Sequence, residues 1–197
     1  MTKHWVLIAA AAFLWAGSVQ AIPILYSASL SGAAESPPNM SPGTGAALVT
    51  YDPDTHSLSV HVDFSGLLAP TTAAHIHCCT TDPETGTAGV ATPTPTFPGF
   101  PAGVVSGTYD ALFDLTLSSS FNPAFITTNG GTPAGAEAVL AAGLASGRAY
   151  FNLHSAAFPG GEIRGFLTSS VPEPATLSLL GLGFGVLVAA RRKRPAP

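Results

Sequence analysis

The sequence predicts a mainly β domain: an antiparallel β-sandwich or barrel, Greek-key-like, with one short helix, flanked by a signal peptide and a C-terminal apolar helix. Three observations carry that expectation. Between Ile22 and Ser170 one segment after another alternates polar and apolar residues, the pattern of strands with one buried and one solvated face. Gly (21) and Pro (18) make up about a fifth of the 197 residues, which favours many turns over long helices. Both ends break the pattern, each being an apolar run with basic residues beside it.

The N-terminal run has the three parts of a secretory signal. Lys3 gives a positive start, Val6 to Ala16 is apolar, and Val19-Gln20-Ala21 places small residues at minus-three and minus-one. The expected mature chain begins at Ile22. Strands follow at Ile24–Leu30, Ala46–Tyr51, Ser57–Phe64, Ala73–Cys78, Thr108–Leu117, Arg148–His154 and Glu162–Leu167, with the third alternating without a fault. Asp52-Pro53-Asp54-Thr55 has hairpin-turn chemistry, and Pro159-Gly160-Gly161 is a second turn signal. Pro93 to Pro101 (PTPTFPGFP) is too rich in proline for a strand and reads as an extended loop. Its Phe97 and Phe100 either pack back onto the sheet or form an exposed binding surface. The single helix is expected where Thr132-Pro133 leads into the Ala- and Leu-rich stretch Ala134–Ala145, with proline at the first helical position.

At the C-terminus, Pro172-Glu173-Pro174 precedes a small and apolar run, Ala175 to Ala190, which Arg191-Arg192-Lys193-Arg194 ends. As a helix, the 17 residues 174–190 span about 25 Å, just adequate for a bilayer core. The basic cluster would stay cytoplasmic and the main domain outside. Gly181, Gly183 and Gly185 lie inside this run, so they make no dinucleotide site.

Charge excludes one class of partner. Only 9% of the chain is charged, against about 25% in an average soluble domain. Between Ile22 and Val171, Arg148 and Arg164 face ten acids with no lysine, a formal net charge of −8. Such a surface repels phosphate backbones, so nucleic acid is not a partner. Catalytic motifs are absent too. There is no GxSxG elbow, P-loop or HExxH. Asp110 and Asp114 read as a solvated strand face, and Asp52 and Asp54 as turn residues without EF-hand spacing. The chain is read as a non-enzyme.

The tail resembles the PEP-CTERM sorting signal of Gram-negative bacteria. The resemblance covers residues 171–197 and implies that an exosortase recognises Pro172-Glu173-Pro174 and cleaves nearby, so that the helix is a transient anchor after signal peptidase has acted at the other end. A tail anchor that is never cut is the alternative. Such proteins are associated with exopolysaccharide and the biofilm matrix. Residues 22–170 carry five phrases in order: Ser29-Leu30-Ser31-Gly32-Ala33-Ala34-Glu35-Ser36-Pro37-Pro38, Ser41-Pro42-Gly43-Thr44-Gly45, Thr72-Ala73-Ala74-His75-Ile76-His77, Ala149-Tyr150-Phe151-Asn152-Leu153-His154, and Phe158-Pro159-Gly160-Gly161-Glu162-Ile163-Arg164-Gly165. Together they resemble the CHRD domain, first named in chordin. That resemblance implies an extracellular β-rich module, here a structural or adhesive part of a cell surface or matrix, with exopolysaccharide or a surface protein as partner.

His75 and His77 are the sharpest local feature. Residues i and i+2 of a strand share a face, so two imidazoles can point at one ion. With His154 and Cys78 they could make a zinc or copper set, and a metal-binding surface protein, redox-active through this cluster, is the alternative function. The strand is also similar to the copper strand of copper/zinc superoxide dismutases, but no bridging-histidine constellation accompanies it. The simpler reading needs no cofactor. The histidines donate to backbone carbonyls or to Glu162, and Glu162 and Arg164 serve as structural partners on one strand face. For Cys78-Cys79 a vicinal bridge, an intermolecular disulfide, metal ligation and a protected thiol all remain open.

Overall fold

The alternating segments each become a strand. In the computed structural model, which describes residues 21–169, these are β1 (Ile24–Ser31), β2 (Thr44–Asp52), β3 (Ser57–Ser65), β4 (Thr71–His77), β5 (Gly107–Asp114), β6 (Tyr150–Ser155) and β7 (Ile163–Phe166), with a two-residue β8 (Thr168–Ser169) beside β1. All but the last residue of the signal peptide expected at 1–21, the sorting motif Pro172-Glu173-Pro174 and the apolar helix expected at 174–190 lie outside the described residues. No helix among the described residues is long and apolar enough to cross a membrane.

All pairings are antiparallel, and the main path runs β4-β6-β7-β1-β2-β3-β5. β4 and β5 follow one another in the chain yet form opposite edges of one curled, half-barrel sheet. The expected barrel-like fold is therefore realised as a single bent sheet. The register of β2 on β3 (Val49 opposite Val60, Ala47 opposite Val62) lines up the residues that alternation assigns to the core. Tyr26, Leu30, Val49, Val60, Val62 and Phe64 are buried on the concave face, while their neighbours along the strand face outward. The β2–β3 turn forms as expected, with Asp52 Oδ1 accepting from the amides of Asp54 (2.9 Å) and Thr55 (3.3 Å).

Two segments fill the opening of the half-barrel. The proline-rich loop runs beside β4 and inserts Phe97, whose ring meets Tyr109 and Phe113 of β5 and Phe151 of β6 at 5.3–6.1 Å. Phe100 stacks on Phe64 at 5.7 Å. Both phenylalanines are buried, so packing, not an exposed surface, is the outcome. The other segment is helical. α1 (Pro123–Thr128) is an element the alternation argument did not supply, and α2 (Pro133–Ala145) is the expected helix. Both begin with the same device, proline at N1 and a side-chain oxygen on an orphan amide: Asn122 Oδ1 to Ala124 N (3.0 Å) and Thr132 Oγ1 to Gly135 N (3.1 Å). α2 buries Ala136, Leu140 and Leu144 at i, i+4 and i+8. It joins the two sides of the sheet: Glu137 accepts from Tyr51 Oη of β2 (2.9 Å), and Gly143 lies against the cysteines after β4.

Candidate functional site

β4 and β6 are buried on both faces, and this makes the site. Their concave face carries Ala74, Ile76, Phe151 and Leu153, all in the core. Their convex face carries His75, His77, Tyr150, Asn152 and His154, because His75 is opposite Asn152, His77 opposite Tyr150 and Ala73 opposite His154. Arg164 of β7, opposite Asn152, joins the same face. The 78–106 segment, the β6–β7 turn and the one-turn 3-10 helix Gly32–Ala34 supply backbone partners to this polar layer.

Each histidine is held by one backbone carbonyl. His75 Nε2 donates to Pro95 O (2.7 Å), His77 Nδ1 to Ala88 O (2.9 Å) and His154 Nδ1 to Pro159 O (2.9 Å). A carbonyl can only accept, so these nitrogens carry the protons and the remaining nitrogen of each neutral ring presents a bare lone pair. Burial keeps the rings neutral: it is the main cause that lowers all three pKa values, that of His77 to about 4. The bare nitrogens, His75 Nδ1, His77 Nε2 and His154 Nε2, are buried and without a hydrogen-bond partner among the described residues. One ligand nitrogen from each ring lies within 4.8 Å of the others. The His77 ring is further clamped by Tyr150, stacked at 4.8 Å with planes 8° apart.

Arg164 backs the cluster. Its guanidinium lies over Tyr150 at 4.8 Å, donates through Nε to Ala34 O and through Nη1 to Gly86 O (3.1 Å), and approaches Glu35 at 3.9 Å. Burial pushes the Glu35 carboxyl up to about 7, against the pull of Arg164. Glu35 Oε1 and the Asn152 amide both sit 2.6 Å from the point a Cβ on Gly161 would occupy, and Gly161 has φ +131°. Only glycine fits this turn. Glu162 is structural in a different place from the one expected. Its Oε1 accepts from Ser41 Oγ (2.6 Å) and Leu68 N (2.6 Å), tying two loops together, and no histidine hydrogen-bonds to it.

Cys78 must be removed from the ligand set. It is bonded to Cys79 as a vicinal disulfide, so neither sulfur is a thiolate able to bind metal. Alternation also sends its side chain to the concave face, where it is buried and faces Gly143 of α2. The other described histidines are elsewhere. His56 pairs with Glu137 (2.9 Å), and His61 lies on the exposed face of β3 between Asp110 (2.7 Å) and Asp63 (3.1 Å). Asp114 accepts from Thr116 in a turn, so it makes no carboxylate pair with Asp110. Sequence reasoning missed Glu35, Tyr150 and Asn152 as members of the layer. For Tyr150 and Asn152 the available signal was their place four and two residues before His154, on the same strand face; Glu35 had none.

Comparison with known proteins divides the chain in two. A family model for the CHRD domain matches residues 26–167, and one for the PEP-CTERM protein-sorting motif matches residues 170–194. No curated protein and no solved structure matches the chain. Neither matching family is a known enzyme family, and the second marks exported proteins that an exosortase processes at the cell envelope. With its eight-stranded domain filling the first match and the sorting motif following directly, the chain belongs to the CHRD domain family and is an exported, exosortase-processed member of it.

Proposed function

We propose that this protein is a non-catalytic component of the cell surface or exopolysaccharide matrix of a Gram-negative bacterium, with the CHRD domain as its binding or structural module. The observation that carries this reading is the adjacency of the two matches: the domain match ends at residue 167 and the sorting motif begins at 170. Processing at that junction releases the whole domain from its tail. The apolar stretch 174–190 serves as a transient anchor, and the leader up to Ala21 starts export. The net charge of −8 between Ile22 and Val171 suits a module that must not adhere to anionic lipid headgroups after release. Exopolysaccharide or another surface protein is the partner.

The test is sorting in an exosortase-bearing host. The wild-type chain should lose its tail and appear in the matrix fraction, whereas replacing Pro172, Glu173 and Pro174 with alanine should leave a full-length, membrane-bound form. A wild-type chain that keeps its tail and stays in the membrane would overturn the transient-anchor reading in favour of a permanent one.

A further inference from the structure

We propose that His75, His77 and His154 form a three-nitrogen binding site for one Cu(II) or Zn(II) ion. The site is independent of the sorting and matrix reading.

Four observations point to it. First, the ligand nitrogens converge, all within 4.8 Å of one another. Nitrogens sharing an ion at about 2.0–2.1 Å are at most about 4.1 Å apart, so small ring tilts close the set. Second, each ring donates its other N–H to a carbonyl, Pro95, Ala88 or Pro159, which fixes tautomer and orientation as the outer partners of metal-bound histidines do. Third, each of the three rings has a buried nitrogen, His75 Nδ1, His77 Nε2 and His154 Nε2, with no hydrogen-bond partner among the described residues. A purely structural network accounts for the carbonyl side of each ring and leaves the facing side unexplained. Fourth, the set lies close to the protein surface, since His154 is intermediate in burial while His75 and His77 are buried.

The donor set selects the ion. Three neutral imidazoles and no thiolate suit copper and zinc, and the absence of a carboxylate from the set disfavours calcium and magnesium. Three protein ligands leave a coordination position open to a small exogenous ligand, unlike the closed four-ligand sets of structural zinc.

The experiment uses the full chain with an affinity tag free of histidine, stripped by chelator and titrated separately with Cu(II) and Zn(II) in competition with a chelator of known affinity. The expected result is one equivalent of bound ion, with imidazole nitrogen couplings in the Cu(II) electron paramagnetic resonance spectrum. The His75→Ala/His77→Ala double variant and His154→Gln should each weaken binding by at least about 100-fold, since losing a direct ligand exceeds the 10–100-fold typical of outer partners. His61→Ala, on the exposed face of β3, should change nothing. A wild-type chain that retains no ion, or undiminished binding by a folded His154→Gln variant, overturns the site. A Cu(II) spectrum without imidazole nitrogen overturns it even where the double variant does not fold.

Discussion

Replacing Arg164 with methionine tests whether the convex polar layer holds the fold together. Methionine keeps much of the stem volume, so the cavity term is small and the loss falls on polar contacts. Two carbonyls, Ala34 O and Gly86 O, lose a charged donor, and Glu35 loses its cationic neighbour among the described residues. Breaking a buried pair by removing one partner typically costs about 3–5 kcal/mol, a large part of the 5–15 kcal/mol that stabilises a domain. The loss should also depend on pH. The Glu35 carboxyl is raised to about 7. A raised carboxyl pKa contributes stability that is complete below about pH 4.5, the unfolded value, and is lost as pH rises through 7. At pH 5 Glu35 is therefore mostly protonated and Arg164 contributes chiefly its carbonyl contacts. At pH 8 Glu35 is mostly ionised and needs the guanidinium. The variant should lose about 1–2 kcal/mol more at pH 8 than at pH 5, after allowing for solvent screening of a group that is not wholly dry. Urea unfolding followed by far-ultraviolet circular dichroism at both pH values measures this; both tryptophans, Trp5 and Trp15, precede residue 21, so their fluorescence is no probe of the domain. A loss below about 1 kcal/mol at both pH values, or an equal loss at each, would refute the argument.

Other parts of the fold give sharper single-site outcomes. In Gly143→Ala the new Cβ would lie 2.3 Å from Cys78 Sγ and 2.5 Å from Cys79 Sγ, so α2 must shift; the expected loss is about 1–3 kcal/mol despite alanine's higher helix propensity, and an unchanged urea midpoint would contradict it. Phe97→Ala empties a fully buried position between β5 and β6 and should cost about 3–5 kcal/mol in the same assay; a loss of 1 kcal/mol or less would mean that the loop does not close the half-barrel. Thiol titration of denatured, unreduced protein recovered after export should find none, since Cys78 and Cys79 are paired; two reactive thiols would restore them as candidate ligands.

How much of this was legible depended on whether the signal was local. Every segment with period-two hydropathy became a strand, because one buried face is enough to force alternation. α2 was legible because Thr132-Pro133 states its own cap. α1 carries the same signal in Asn122-Pro123, but six residues are too few to show helical periodicity. The strand expected to reach Leu117 stops at Asp114, whose side chain folds back on Thr116, a turn device that outranks the continuing apolar pattern. The histidine pair was legible from i, i+2 spacing, and His154 joined it through the β4–β6 pairing. Cys78 was assigned by proximity in sequence, although one residue after His77 on a strand means the opposite face. The carbonyls of Ala88, Pro95 and Pro159 that orient the rings carry no residue-type signal. Glu35 is distant in sequence from Gly161 and Arg164, against which it packs, so only tertiary structure places it.

The position of the polar layer then bears on its purpose. A strand covered on both faces is ordinarily apolar throughout, and here β6 buries Asn152 and Tyr150 under loops while β4 buries two histidines. Each lone pair left without a donor in such a layer costs about 1–3 kcal/mol. Three of them in one cluster would consume much of a domain's net stability. An ion on those nitrogens removes that penalty and leaves the carbonyl contacts intact, so the rings that ligate it also pin the 78–106 segment and the β6–β7 turn. Occupancy must then stabilise the fold by mass action: at a free ion concentration 100 times Kd the gain is about 2.7 kcal/mol. Thermal unfolding of the stripped chain with and without Cu(II) or Zn(II) should show this as a rise in Tm of about 5–11 °C, on the order of 2–4 °C per kcal/mol for a domain of this size. The rise should vanish in His154→Gln and persist in His61→Ala. A Tm indifferent to both ions would mean that the layer keeps its orphan nitrogens uncompensated, and that other contacts of the fold, the Arg164 and Phe97 closures among them, are strong enough to bear it.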